Sequence, residues 1–191
     1  MRTFIAIDFS PAIIDRIAEV IKYFKTQTPD QALKWVSPEN LHLTIKFLGD
    51  GPDKNIDSIK ALISGTLQGK KAFNISVEGL GMYPNQNKPR VIWLGIKDYQ
   101  PLSAIHKALD QALVEANVER DRRGFSPHLT IARIRGRTDF STAQEIGKTL
   151  SQFKVDSLGS CLVEKVCLYK SVLTPEGPIY TKLLSSPLDK V

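Results

Sequence analysis

Hydrophobic and polar positions follow the same order in each half of the chain. Short apolar or alternating runs predict strands, and apolar side chains that recur every three or four residues predict helices. The first half reads strand, helix, strand, helix, strand, and the second half repeats this order with one strand added. The predicted segments are strand 4–9, helix 10–24, strand 41–48, helix 56–63, strand 73–80, strand 91–96, helix 101–116, a strand from 128 onward, helix 140–150, strand 160–169 and strand 179–184.

This repetition indicates a duplicated unit, because two matching runs of mixed elements are most simply explained by duplication. We expect an α+β fold with two mainly antiparallel sheets, flanking helices and a central cleft between two lobes. No linker is long or polar enough to separate independent domains, so residues 1–191 form a single bilobal domain in this interpretation. The pseudo-repeats are about 1–85 and 86–191, with the boundary in the Pro/Asn/Gly-rich loop 81–90.

A second repetition lies inside the first. The tetrad His-Leu-Thr-Ile occurs at 42–45 and again at 128–131, and the chain has only three histidines. Side chains alternate between the two faces of a strand, so each histidine and the threonine two positions later point the same way. His42 with Thr44, and His128 with Thr130, therefore each place an imidazole and a hydroxyl on one face of a sheet.

Two such pairs are suited to acid–base chemistry on a phosphate ester. The unperturbed imidazole pKa is about 6.5, so one histidine can accept a proton while the other donates one. The two hydroxyls can donate hydrogen bonds to phosphate oxygens that carry charge in the transition state. This chemistry needs no metal or other cofactor, and a strained cyclic 2′,3′-phosphate is a fitting substrate. Two alternatives are a half-buried sheet face and a zinc site, although no third ligand repeats beside the tetrads.

Several neighbours are candidates for substrate binding, each with a structural alternative. Lys46 continues the alternation of His42 and Thr44, so it is a candidate phosphate contact, with a solvated strand lysine as the alternative. Arg133, a candidate phosphate or ribose contact, lies on the opposite face of the strand from His128 unless a bulge intervenes. The remaining candidates are Arg90 at the start of a strand and four aromatic side chains that stack on a base or pack in the core: Trp35, Phe47, Tyr83 and Phe125. The third histidine, His106, falls in the apolar stripe of its helix and is expected to be structural.

Composition adds weaker constraints. A net charge of +6 and a pI near 9.3 permit an RNA or nucleotide ligand without requiring one. The two cysteines, Cys161 and Cys167, lie in one predicted strand about 20 Å apart, which prevents a disulfide between them. The N-terminal apolar run is too short for a signal peptide, and no segment approaches a membrane span. We expect a cytoplasmic protein that has no membrane partner and needs to be no more than a monomer.

The chain resembles the 2H phosphoesterase superfamily, and within it the RNA 2′,3′-cyclic phosphodiesterases, also called 2′-5′ RNA ligases. The resemblance spans nearly the whole chain and rests on five segments in the same order: RTFIAID at 2–8, WV at 35–36 with ENLHLTIKFLG at 39–49, PRVIWLG at 89–95, FSPHLTIAR at 125–133 and the tail 173–183. It implies a bilobal fold and hydrolysis of RNA 2′,3′-cyclic phosphate ends to 2′-phosphomonoesters. It also implies that His42 is the proton donor and His128 the proton acceptor, with Thr44 and Thr130 on the phosphate.

The function expected from the sequence is therefore metal-independent hydrolysis of RNA 2′,3′-cyclic phosphodiester ends, with reversible 2′-5′ RNA ligation as the reverse use of the same groups. A small-nucleotide cyclic phosphodiesterase or 2′-5′ oligonucleotide esterase is a second hypothesis. A non-catalytic RNA-binding module on the same fold is a third. The near-symmetry of the two motifs leaves the donor and acceptor roles open on the residues alone.

Overall fold

The structure is a computed structural model that describes residues 2–50, 55–122, 124–175 and 177–190. Its described part contains four α-helices and nine strands, with short 3₁₀ turns between some of them. The helices are α1 (Pro11–Gln27), α2 (Ile56–Leu67), α3 (Gln100–Ala112) and α4 (Phe140–Ser151). The strands are β1 (Arg2–Ile7), β2 (Leu33–Trp35), β3 (Leu43–Asp50), β4 (Phe73–Tyr83), β5 (Val91–Lys97), β6 (His128–Ile134), β7 (Ser160–Val163), β8 (Lys165–Leu173) and β9 (Pro178–Pro187).

The strands form two sheets in which the named neighbouring strands are antiparallel. The first sheet has the order β3-β1-β8-β9 and the second the order β2-β6-β5-β4-β7. The predicted α+β class with two antiparallel sheets and flanking helices is confirmed. The two strands that carry the repeated tetrad, β3 and β6, lie in different sheets and contact each other where the sheets meet.

The sheets do not follow the two halves of the sequence. Strand β4 belongs to the first half but pairs with β5 and β7 in the second sheet. Strands β8 and β9, at the end of the chain, complete the first sheet beside β1. Each sheet therefore needs both halves of the chain to form, and the division into repeats of about 1–85 and 86–191 stays a prediction.

Two local expectations are corrected. Residues 33–35, which lie outside the predicted helices and strands, form β2 at the edge of the second sheet. The single strand predicted at 160–169 is two strands that are separated at Glu164 and enter different sheets. Cys161 and Cys167 consequently lie in separate sheets, both buried and both free.

One continuous core joins the inner faces of both sheets to the helices. Helix α1 begins at Ser10-Pro11 as predicted, and Ile17 and Phe24 on its inner face are 0 % and 1 % exposed. Burying an aliphatic or aromatic side chain of this size stabilises the fold by about 1.5–3 kcal/mol. Among the described helices, none is long and apolar enough to cross a membrane.

Candidate active site

A bulge in β3 decides which side chains share a face with His42. Along β1, Ala6 pairs with Thr44 but Ile5 pairs with Lys46, so one extra residue is inserted on β3 between the two pairs. A single extra residue reverses the alternation beyond it. Thr44 therefore stays on the face of His42, whereas Lys46 turns to the opposite, buried face.

A matching bulge lies in β6. Along β5, Trp93 pairs with Thr130 but Ile92 pairs with Ala132, which again inserts one residue after the threonine. Beyond the bulge, Arg133 pairs with Val91, two positions before Trp93. Arg133 therefore shares the face of His128 and Thr130, as the sequence allowed only if a bulge intervened.

Each motif histidine is oriented by its own loop. The Nδ1 atom of His42 lies 2.7 Å from the carbonyl oxygen of Asn40, and Nδ1 of His128 lies 2.8 Å from that of Ser126. A carbonyl oxygen only accepts, so Nδ1 must carry the hydrogen in both rings. The other nitrogen, Nε2, is left in each ring to take up or release a proton.

Aromatic rings enclose His42. The ring of Phe4 lies 4.8 Å from the imidazole, and the ring of Tyr180 stands edge-on to it at 5.1 Å. Burial lowers the pKa of His42 from the usual 6.5, against opposite effects of the Asn40 carbonyl and the Asp8 carboxylate. In the free protein, His42 therefore favours the neutral form at neutral pH.

His128 has a similar but more open surrounding. The ring of Tyr83 stands edge-on to it at 5.0 Å and that of Trp93 lies 6.0 Å away, while the Tyr83 hydroxyl is 3.3 Å from Ser126 Oγ. The hydrogen bond that orients this imidazole is exposed, whereas the one that orients His42 is partly buried. We refer to His42, Thr44, Phe4 and Tyr180 as the His42 half-site, and to His128, Thr130, Tyr83 and Trp93 as the His128 half-site.

Two observations place the half-sites side by side. Strands β3 and β6 contact each other across the junction of the sheets. Burial raises the pKa of Tyr180, which contacts His42, and the charge of Arg133 on the His128 strand lowers it by a smaller amount. The chain thus gathers two imidazoles, two threonine hydroxyls and an arginine in one region.

An open pocket of about 420 Å³ adjoins the His42 half-site. Asp8 lies at this pocket and accepts hydrogen bonds from the Tyr169 hydroxyl at 2.5 Å and from Lys182 Nζ at 2.9 Å. Burial alone raises the pKa of Asp8, but these two hydrogen bonds bring it below its usual value. The carboxylate is therefore ionised and fixed beside His42. The pocket is lined by Phe4, Asp8, Glu39, Asn40, Leu41, His42, Tyr169, Pro178, Ile179 and Tyr180.

Lys46 does not take part in this site, which corrects its prediction as a phosphate ligand. It is 1 % exposed, and its ammonium lies 2.7 Å from Asp110 Oδ1 and 3.3 Å from Asp121 Oδ1. Asp110, Asp121 and His106 are the one group of three potential metal ligands that the described ranges bring together. The Lys46 ammonium already lies between the two carboxylates of that group.

The other predicted substrate contacts divide into two kinds. Phe47 is 66 % exposed on the face of His42, with its ring 6.1 Å from that of Phe4, so it is available for stacking. Trp35 packs against the core, with its indole nitrogen buried and without a hydrogen-bond partner. Phe125 stacks on His106 at 4.4 Å and also packs against the core. Arg90 is exposed at the start of β5.

Three of the aromatic residues that surround the histidines, Phe4, Trp93 and Tyr180, have no predicted role in the sequence. Hydrophobic patterning places Phe4 and Trp93 in buried strands, and Tyr180 in the last strand, without assigning them a role. Alternation along the partner strands offers a signal for the first two, because Phe4 lies two positions before Ala6 on β1 and Trp93 pairs directly with Thr130 from β5. Tyr180 gives no local signal, because its position depends on how β9 joins the first sheet.

Comparison with known proteins agrees with this architecture. A family model described as the 2′-5′ RNA ligase superfamily matches residues 9–173. The chain is 35 % identical to an RNA 2′,3′-cyclic phosphodiesterase of Methanothermobacter thermautotrophicus over 183 residues, 96 % of each protein. It is 32 % identical to one of Archaeoglobus fulgidus over 184 residues, 96 % of this chain and 98 % of that protein.

Solved structures share the fold. TT0787 of Thermus thermophilus superposes with a TM-score of 0.80 at 25 % identity, covering 98 % of both chains. E. coli LigT complexed with 3′-AMP superposes with a TM-score of 0.76 at 23 % identity, covering 98 % of this chain and 97 % of that one. The fold and the paired histidine motifs are those of a two-histidine phosphoesterase. The chain belongs to the 2′-5′ RNA ligase superfamily.

Proposed function

We propose that the protein hydrolyses the 2′,3′-cyclic phosphate at RNA ends to a 2′-phosphomonoester without a metal ion. The observation that carries this proposal is the matched pair of half-sites, each with an imidazole whose Nδ1 is held by a carbonyl and whose Nε2 is left for proton transfer. The names of the relatives support the same substrate class.

The proposed reaction uses each histidine once. His128 Nε2 takes a proton from water as the water oxygen attacks phosphorus. The bond between phosphorus and the ribose 3′-oxygen breaks, and the proton on His42 Nε2 passes to that oxygen. Each positioned proton transfer contributes about 10²–10⁴-fold to the rate. This assignment of donor and acceptor follows the family resemblance.

The remaining side chains bind the phosphate and the nucleoside. Thr44 and Thr130 donate hydrogen bonds to non-bridging oxygens, and Arg133 adds a cation on the same face as His128. Phe47 offers an exposed ring for stacking on a base. Because burial lowers the pKa of His42, the bound phosphate anion has a second task, which is to favour the protonated form that the donor role requires.

The test is product analysis with an RNA oligonucleotide that ends in a 2′,3′-cyclic phosphate, in the presence of EDTA. Phosphorus NMR should show a 2′-phosphomonoester. A 3′-phosphate product would refute the assignment of the 3′-oxygen as leaving group. Loss of turnover on chelation would refute a metal-free reaction. Binding without turnover would instead identify an RNA-binding module, and turnover confined to mononucleotides or to 2′-5′ linkages would identify the small-nucleotide esterase.

The same groups also support ligation, in which a 5′-hydroxyl acts as the nucleophile instead of water. A 5′-hydroxyl that replaces water, with a 2′,3′-cyclic end as its partner, gives a 2′-5′ linkage by the same proton transfers. We expect such ligation only at high concentrations of RNA ends, because water is in large excess over 5′-hydroxyl groups. Gel analysis of two RNA fragments at increasing concentration measures the ratio of ligation to hydrolysis.

A further inference from the structure

We propose that Lys46, Asp110, Asp121 and His106 form a charged network, buried except at Asp121, that positions His128 relative to the His42 motif. These four residues touch neither imidazole of the half-sites, so they are positioning residues. The proposal rests on the proposed function for its kinetic consequence, but its structural consequence is measurable without substrate.

One end of the network lies on β3, next to the His42 motif. The bulge turns Lys46 into the interior, where its ammonium donates to Asp110 Oδ1 at 2.7 Å and to the carbonyl oxygen of Glu119 at 2.9 Å. Asp121 Oδ1 lies 3.3 Å away as a third partner. The ammonium thus makes two hydrogen bonds and one longer ion pair, and these partners hold it in place in the interior.

The other end of the network holds the segment that leads into β6. Asp110 accepts a hydrogen bond from the backbone N–H of Asp121 at 2.8 Å, and the second oxygen of Asp121 lies 2.8 Å from His106 Nε2. The His106 ring lies flat against Phe125 at 4.4 Å, with 13° between the planes. Phe125 directly precedes Ser126, whose carbonyl oxygen orients His128.

The network serves one motif only. The position on β6 that corresponds to Lys46 is Ala132, which is fully buried and has no polar group to offer. The loop before His42 is held differently: Asn40 Nδ2 donates to Ser37 Oγ at 3.1 Å and to the carbonyl oxygen of Pro178 at 3.4 Å. A change in the network should therefore reach His128 and spare His42.

Buried ions are an expensive way to join two segments, which argues for a role in orientation. Apolar side chains of similar volume often give equal or greater stability than a buried ion pair, but they do not fix one direction of approach. Here the ions connect β3, α3 and the segment before β6, so the register of the two motifs depends on them. A displacement of about 1 Å at a reacting group is enough to lower a rate by about 100-fold.

The first test is Asp121→Asn, which removes the charge that links Lys46 to His106 and keeps the shape. Asp121 is half-exposed, with a side chain 39 % accessible, so the fold should tolerate the change. On a 2′,3′-cyclic phosphate substrate we expect kcat to fall about 10- to 100-fold with KM nearly unchanged. Asp156→Asn, which breaks the exposed ion pair with Lys154 at 3.0 Å, is the matched control and should leave kcat unaltered.

Imidazole NMR gives a readout that stability alone would not move. The chain has three histidines, so their ring signals can be assigned by single substitutions. In Asp121→Asn we expect the signals of His106 and His128 to shift and those of His42 to stay. This measurement needs no substrate, so it remains informative even if the proposed activity fails.

A second variant guards against misfolding. Lys46→Met alone leaves two carboxylates without their buried counter-ion, so it is combined with Asp110→Asn, which removes one charge of each sign. The double variant should lower kcat to a similar extent as Asp121→Asn, and adding Asp121→Asn to it should cost little more, because all three changes break one network. Fully additive losses would overturn the proposal. A second result would also overturn it: a folded but destabilised Asp121→Asn variant in which the His128 ring signals are unshifted and kcat stays within about twofold of wild type.

Discussion

The two half-sites use the same backbone device and differ in what surrounds it. In each, a loop carbonyl holds Nδ1 of the imidazole, an edge-on tyrosine contacts the ring at 5.1 or 5.0 Å, and a bulge follows the threonine. Beyond the bulge the same register position holds Phe47 on β3 and Arg133 on β6. The position one residue earlier holds Lys46 on β3 and Ala132 on β6.

This difference teaches how a near-symmetric pair can take opposite roles. The backbone delivers the same imidazole geometry twice, so geometry alone does not distinguish a donor from an acceptor. Burial and neighbouring charge do: His42 lies among aromatic rings beside the ionised Asp8, whereas His128 is more open and shares its face with Arg133. Four predictions test this contrast, in order of decreasing effect.

The largest effect should come from removing either motif histidine. His42→Ala and His128→Ala should each lower turnover by about 10²–10⁴-fold, because each removes one proton transfer. The contrast appears with a phosphodiester whose leaving group is p-nitrophenolate, which departs without a proton. We expect His42→Ala, but not His128→Ala, to recover turnover on this substrate, since His42 is the proposed donor. Initial rates of both variants measure the recovery.

Recovery of turnover in His128→Ala instead would show that His128 is the proton donor and His42 the acceptor. Circular dichroism at the assay temperature provides the control that both variants are folded. A variant that keeps a near wild-type rate on the RNA substrate would contradict the two-histidine mechanism.

The next effect should separate Arg133 from Phe47. Arg133→Ala removes a cation near the phosphate and should cost about 1.5–3 kcal/mol, or roughly 10- to 100-fold in kcat/KM, for every substrate. Phe47→Ala removes a stacking surface worth about 1–3 kcal/mol per base, and should act mainly through KM and only where a base is present. Steady-state kinetics with a cyclic nucleotide and with a base-free ribose 2′,3′-cyclic phosphate compare the two. If Phe47→Ala lowered kcat/KM equally on both substrates, base stacking by Phe47 would be excluded.

A smaller effect should appear in the pH dependence of stability. Folding lowers the pKa of His42 from 6.5, so below pH 6.5 the unfolded chain binds more protons at this residue than the folded chain does. This residue's contribution to stability is therefore complete above pH 6.5 and is lost as the pH falls towards the folded-state pKa. Thermal melts give Tm at each pH, and the plots of Tm against pH for wild type and His42→Asn should differ in slope below pH 6.5.

Parallel curves for wild type and His42→Asn would contradict the inferred burial of His42. The comparison uses slopes, so a constant difference in Tm between variants does not affect it.

The smallest effect should come from the edge-on tyrosines. Tyr180→Ala opens the surroundings of His42 to water and should raise the pKa of His42 towards 6.5. Tyr83→Ala removes the ring that stands edge-on to His128 and is the matched control, because it leaves the surroundings of His42 unchanged. NMR titration of His42 in both variants measures the effect, and an unchanged His42 pKa in Tyr180→Ala would show that this ring does not shield His42 from water.

Much of the fold is readable from local patterns. Helix α1 begins at Ser10-Pro11 in both the prediction and the structure, because an N-cap serine followed by proline is a strong local start signal. The strand predicted at 160–169 is not readable as two strands, because the charged pair Glu164-Lys165 interrupts the apolar run without revealing that its two ends pair in different sheets. The same limit hides β2, a three-residue strand that exists only because β6 offers an edge.

The candidate site divides in the same way. Alternation along a strand correctly joins His42 to Thr44 and His128 to Thr130, since no irregularity intervenes within either pair. Alternation fails one step later at Lys46, because a bulge is a feature of two paired strands and not of one sequence. It also gives no role to Tyr180, which reaches His42 from the far edge of the first sheet.

The sequence by itself determined the repeated order of elements, the two His-Leu-Thr-Ile motifs and the family to which they are similar. These depend on side-chain periodicity and on residue identity, which are properties of short stretches of chain. Only the tertiary structure decided that β4 joins the second sheet and β8 the first, and that Lys46 is buried and Arg133 is not. It also decided that the hydrogen bond orienting His42 is more buried than the one orienting His128. Pairing register, burial and the fields of neighbouring charges arise between segments distant in sequence, so no local pattern specifies them.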